Sequence, residues 1–132
     1  MKYLALIYAD ETAWETFSEA EQAAAYELYG AFANEAREAG VLVGGDELAA
    51  TRTATTVRVR DGQTLVTDGP YAETKEVLGG YFVLECASMD EAVDWAAKIP
   101  GAHHGSVEVR QVHVDEENSS EATLAEREGV AS

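Results

Sequence analysis

Asp68-Gly69-Pro70-Tyr71 stands directly ahead of Glu73, Lys75 and Glu76 in this chain. A turn there can present the Asp68 carboxylate as an acid–base or hydrogen-bonding group. The Tyr71 phenol and the Lys75 ammonium would flank it at a pocket rim. Asp, Gly and Pro are also the residues that turns select for backbone reasons, so spacing alone leaves both readings open. A second set comes from strand parity. In residues 106–114, Glu108, Arg110 and Val112 share one face while Val107 and Val109 share the other. In residues 81–87, Tyr81, Val83 and Glu85 oppose Phe82, Leu84 and Cys86. If the aliphatic faces meet helices, Arg110 turns to the opposite side with Tyr81. There it either bridges a carboxylate or anchors a small acidic or carbonyl ligand, with Tyr8 and Asp68 at the rim.

Other reactive residue types are sparse. His103 and His104 are adjacent and His113 stands apart. Neighbouring histidines rarely converge on one ion and zinc sites need three or four ligands, so no metal is expected. No glycine-rich phosphate loop is present and no motif calls for a cofactor. Cys86 falls on an aliphatic face and reads as a small core residue, and Trp14 and Trp95 read as packing residues. Nine Lys and Arg face 25 Asp and Glu, for a formal net charge of −16. That charge repels phosphate backbones and anionic lipid, which excludes nucleic acid and membrane surfaces as expected partners. With a single cysteine and no small-residue cleavage site after the opening strand, a cytoplasmic address is expected.

The elements that must position these groups follow from periodicity and caps. With 132 residues, 46% of them hydrophobic, the chain fits one compact domain, and no apolar run approaches the length of a membrane span. Residues 2–9 are apolar on both alternating faces, Leu4, Leu6 and Tyr8 against Tyr3, Ala5 and Ile7. Such a strand is buried on both sides of its sheet. Residues 10–17 read as a polar connection. Ser18 and Glu21 then offer a capping box for a helix that runs to Ala39, with Tyr29, Phe32, Ala33 and Ala36 at helical spacing and Gly40 as its stop. A strand at 41–43 leads to a bulge or bend at Gly44-Gly45. Residues 55–60 and 63–67 form a hairpin about Asp61-Gly62, in a register that sets Val57 against Val66 and Val59 against Thr64. Residues 72–79 read as a loop. A strand at 81–87, a second capping box at Ser88 and Glu91, a short helix stopped by Pro100-Gly101 and a strand at 106–114 repeat the plan. This is an α+β, ferredoxin-like pair of split strand–helix–strand units with a hairpin insertion. Residues 115–132, with six acids and one base, read as a mobile extension or weak surface helix outside a 1–114 domain.

Beyond these elements, the run from Asp68 through Thr74-Lys75-Glu76-Val77-Leu78-Gly79-Gly80 to Tyr81 resembles the DGPF-domain proteins of the YCII-related superfamily. The opening Lys2-Tyr3-Leu4-Ala5-Leu6-Ile7-Tyr8, the Glu91-to-Pro100 helix and Val107-Glu108-Val109-Arg110 are similar too, so the likeness covers residues 1–114. Tyr71 replaces the phenylalanine that names the motif. The resemblance implies a ferredoxin-like subunit that forms a dimeric α/β barrel, bacterial, of unassigned reaction, with relatives encoded beside extracytoplasmic-function sigma factors. Some relatives are proposed to act through a His–Asp pair, whereas this chain has no histidine before His103.

The sheet argues independently for a homodimer. Two helices cover one face, and the doubly apolar opening strand leaves the other apolar as well. Two functions remain open. One is a small-molecule binder or enzyme using a cleft at the barrel mouth, with Asp68 as its acid–base group and Tyr8, Tyr71, Lys75, Tyr81 and Arg110 around the ligand. The other is a non-catalytic regulatory or interaction protein linked to a sigma factor.

Overall fold

The computed structural model describes residues 1–114, and the acidic stretch 115–132 lies outside the described residues. β1 (Lys2–Ala9) is central in a four-stranded antiparallel sheet. It pairs with β5 (Val77–Glu85) on one side and β6 (Ser106–Gln111) on the other, and β2 (Leu42–Glu47) lies outside β5. α1 (Glu11–Glu15) and α2 (Glu19–Glu38) link β1 to β2, and α3 (Met89–Ala96) links β5 to β6. Two strand–helix–strand units therefore interleave in an α+β fold. β3 (Thr55–Arg60) and β4 (Gln63–Asp68) form a separate two-stranded hairpin. No helix among the described residues is long and apolar enough to cross a membrane.

Local chemistry sets the boundaries. Ser18 Oγ accepts from the Glu21 amide at 3.1 Å while the Glu21 carboxylate accepts from the Ser18 amide at 2.9 Å, so the first capping box forms as expected. The Ser18 amide first, and then the Ser18 hydroxyl, hold the Glu21 carboxyl below its ordinary range. The second box is only half made. Ser88 Oγ accepts from the Glu91 amide, but the Glu91 carboxylate turns to the Ala87 amide instead. The hairpin has the expected register, Val57 opposite Val66 and Val59 opposite Thr64. Its turn fits because Asp61 and Gly62 both take positive φ, 52° and 75°, whose twist matches the flanking strands.

Three expectations need correction: first, the strand expected at 41–43 runs on through Gly44-Gly45 to Glu47, with a bulge between Leu42 and Gly44. Residues 11–15 are helical rather than a plain connection, because Asp10 Oδ1 caps them by accepting from the Thr12 amide and hydroxyl. β5 starts at Val77, four residues before the strand expected at 81. A bulge between Ile7 and Tyr8 lets Leu78 and Val77 pair with Tyr8 and Ala9.

The core lies between the sheet and the two longer helices. Tyr3, Ala5 and Ile7 of β1 and Leu84 of β5 are buried against Phe32 and Ala36 of α2 and Ala92 and Ala96 of α3. Phe32 packs against Phe82 with ring centroids 5.0 Å apart. Cys86 is buried in this layer and burial pushes its thiol pKa up, with the Glu91 charge adding, so it behaves as a small core residue. The other face of the sheet carries Leu4, Leu6 and Tyr8 with Val83, all half-buried, and no described element covers them. Glu85, Glu108 and Arg110 stand exposed on the same face.

Candidate functional site

A cleft of about 570 Å³ opens where β1 ends and β5 begins. That volume lies within the usual range for small-molecule sites. Ile7, Ala9, Gly80 and Phe82 form its floor, and residues 45–50, leaving β2, form one wall. Facing them is an aromatic wall. Trp14 stands edge-on to Tyr26 at 5.5 Å and lies 5.6 Å from Phe17, while Tyr29 comes from the next turn of α2. Asp10 positions Trp14 by capping α1, and the Ser18 cap fixes where α2 begins, hence where Tyr26 and Tyr29 stand.

The polar lining is one-sided. Among the described lining residues, Asp10, Glu11, Glu15 and Glu47 supply carboxylates, His104 is the sole imidazole and there is no Lys or Arg; the Asp46 side chain, paired with Tyr81, lies on the opposite sheet face. Most of these carboxylates also organise the walls. Glu11 accepts from the Thr51 hydroxyl and, at 3.2 Å, from its amide, tying α1 to the root of the hairpin. Glu47 accepts from the Tyr26 hydroxyl at 3.1 Å, and Asp46 accepts from the Tyr81 hydroxyl at 3.0 Å. Burial pushes the Tyr26 pKa up and the Glu47 carboxylate adds to it. Burial does the same to Tyr29. The Thr12 hydroxyl and amide hold the Asp10 carboxyl below its ordinary range, with the Lys75 charge contributing. The arrangement supplies aromatic faces, hydrogen-bond acceptors and negative charge.

Only part of the expected set meets here. Tyr81 lines the cleft, and Lys75 lies within electrostatic reach of Asp10. The Lys75 loop is anchored by Ser106 Oγ, which donates to Glu76 at 3.0 Å. Tyr8 lies on the uncovered sheet face and donates to Glu108 at 3.4 Å. Arg110, opposite Leu4, is exposed on that face and forms no ion pair with a described residue. Asp68 is exposed at the end of β4, and no described residue donates to its carboxylate. The next residue closes the hairpin instead: the Gly69 amide donates to the Ala54 carbonyl and Thr56 Oγ1 donates to the Gly69 carbonyl. Tyr71 is 80% exposed. Within one chain, the six residues do not converge.

Sequence reasoning missed Trp14, Tyr26, Glu11 and Glu47. One signal was present. Tyr26 extends the Tyr29–Phe32 stripe by one turn, beyond the buried part of α2, where an aromatic ring has no core to fill.

The YCII-related domain family matches residues 1–115. The chain is also 40% identical over 112 residues to a protein of Rhizobium meliloti (strain 1021), itself described as uncharacterized. That alignment covers 83% of this chain and 90% of the other.

Proposed function

This chain belongs to the YCII-related domain family, and from that premise we propose that it binds a small molecule in the aromatic-walled cleft as one half of a homodimer. The cleft itself carries the reading: about 570 Å³, with an apolar floor and a few convergent polar groups. The dimer reading rests on the uncovered face of Leu4, Leu6, Tyr8 and Val83, whose charged rim resembles that of an interface. Two ferredoxin-like subunits packed through that face would make the dimeric α/β barrel, in the cytoplasm. Lys75 then stands beside the cleft, and Tyr81 at its edge, its ring on the same sheet face as Leu6. Tyr8 and Arg110 belong to the face between copies, where an acidic or carbonyl ligand on Arg110 would have to sit. Asp68 and Tyr71 would serve a site only if brought to it across the dimer.

A thermal-shift screen of metabolites tests this reading. A ligand present at a hundred times its Kd stabilises by about 2.7 kcal/mol, and Trp14→Ala is expected to remove that response. Hits whose shifts survive Trp14→Ala unchanged would place the site elsewhere. Asp68→Asn decides the role of the turn. An unchanged melting temperature with a lost response assigns Asp68 to the site, and a lower melting temperature with the response kept assigns it to the hairpin alone.

One observation favours the second reading, a non-catalytic interaction protein linked to a sigma factor. The hairpin exposes Val57, Val59, Leu65 and Val66, each between 45% and 63%. A bare two-stranded ribbon is marginally stable and gains from a partner. Under that reading the metabolite screen returns no hits.

A further inference from the structure

We infer that the ligand of this cleft is an organic cation, an amine or ammonium carried on an apolar body. The inference rests on the reading of the cleft as the binding site and adds the ligand's charge. The cleft is defined by its volume and aromatic wall, and the lining residues then select the sign. Aromatic faces attract cations through the ring quadrupole, Trp most strongly, and the corner made by Trp14, Phe17 and Tyr26 sets two rings within 5.6 Å of Trp14. Among the described residues, no base stacks on these rings. The cation stacked on a ring is Lys98, and it lies over Trp95, outside the cleft lining.

The carboxylates reinforce the rings. Glu47 accepts from a neutral phenol and Glu11 from a threonine, so neither is bonded to a base among the described residues. Glu15 accepts from no described residue. Lys75 is the nearest counter-charge to Asp10 and is not part of the lining. An anion entering this space meets like charge and, among the described lining residues, no Lys or Arg, with only His104, the Trp14 indole and tyrosine hydroxyls as side-chain donors. An ammonium meets acceptors on one wall and ring faces on the other. The polar head would lie toward Glu47 and the apolar body on Ile7, Ala9 and Phe82.

Three probes that share one phenyl group test the sign: phenethylammonium, neutral phenylacetamide and phenylacetate. Binding is read by fluorescence in Trp95→Phe protein, where Trp14 is the remaining tryptophan. Phenethylammonium is expected to bind at least about tenfold more tightly than phenylacetamide, and phenylacetate more weakly than either. Glu11→Gln with Glu47→Gln should shrink that preference severalfold. Glu15→Gln, which disturbs no hydrogen bond with a described residue, should shrink it less and guards against misfolding of the double variant. Phenylacetate or phenylacetamide binding as tightly as the amine would overturn the cation inference and leave the cleft reading intact. So would a preference untouched by both sets of carboxylate changes. If none of the three perturbs Trp14 at millimolar concentration, the cleft reading falls and the cation inference with it.

Discussion

Gly105→Ala is expected to destabilise the fold by about 3 kcal/mol, at the upper end of the cost of overpacking. A Cβ at this position would lie 2.2 Å from the Tyr8 carbonyl oxygen and 3.3 Å from Ala9 Cα. Both are backbone atoms of a central strand, so no rotamer change can relieve the contact. The end of β1 must move away from the start of β6, and the Gly105 amide, which donates to the Gly101 carbonyl at 2.8 Å, moves with it. The displaced residues include the floor of the cleft, so ligand response should weaken along with stability. Gly30 in α2 supplies the contrast. Nothing lies within 4 Å of its added Cβ. Gly30→Ala should stabilise by about 1 kcal/mol, the helix-propensity difference. Urea denaturation of both variants checks the pair, and a Gly105→Ala protein as stable as the parent would show that the β1–β6 approach is looser than described.

Leu6→Asp is expected to convert the proposed dimer to a folded monomer. Leu6 lies between Tyr81 and Glu108 at the middle of the uncovered face. In a two-fold dimer each substitution counts twice. Losing the burial of one leucine costs about 2 kcal/mol per copy. A carboxylate facing Glu108 in a closing interface adds like-charge repulsion, so association should weaken by roughly a thousandfold or more. The core face of the same strand, Tyr3, Ala5 and Ile7, is untouched, and circular dichroism should remain that of the parent. Leu6→Met keeps the volume and should stay dimeric. Sedimentation equilibrium decides it: a Leu6→Asp protein with the parent's association constant would place the interface elsewhere, and a monomeric parent would remove the dimer reading.

How much of this was legible in the sequence depended on the range of the interactions involved. The hairpin register follows from Asp61-Gly62 because a two-residue turn fixes the pairing of its own strands. The helix starts follow from Ser18 and Ser88 because caps act over three residues. The two apolar faces of β1 were visible by alternation, and one of them does carry the core. α1 was not legible, since five residues are too few to show helical periodicity. The start of β5 at Val77 was hidden by a bulge that shifts the register by one residue.

The candidate site was the least legible part. The most distinctive run, Asp68 to Lys75, draws attention to itself by composition. Yet Gly69 bonds back to Ala54 and Thr56, which leaves Asp68 and Tyr71 facing solvent in one chain. The cleft is assembled from segments with no shared motif: the start of α1, the second turn of α2, the exit of β2 and the first residues of β5. Its carboxylates are spread from Asp10 to Glu47 in a chain already rich in acids, so their convergence on one cleft could not be read from spacing.

The central claim is that a small ligand occupies the cleft beside Trp14 and not the sheet face that carries Arg110. A crystal structure grown with the strongest hit of the metabolite screen tests it most directly. The account predicts electron density against the rings of Trp14 and Tyr26, above the floor of Ile7 and Phe82. Density on the Leu6 face beside Arg110, or at the Asp68 turn, with the cleft empty, would contradict it.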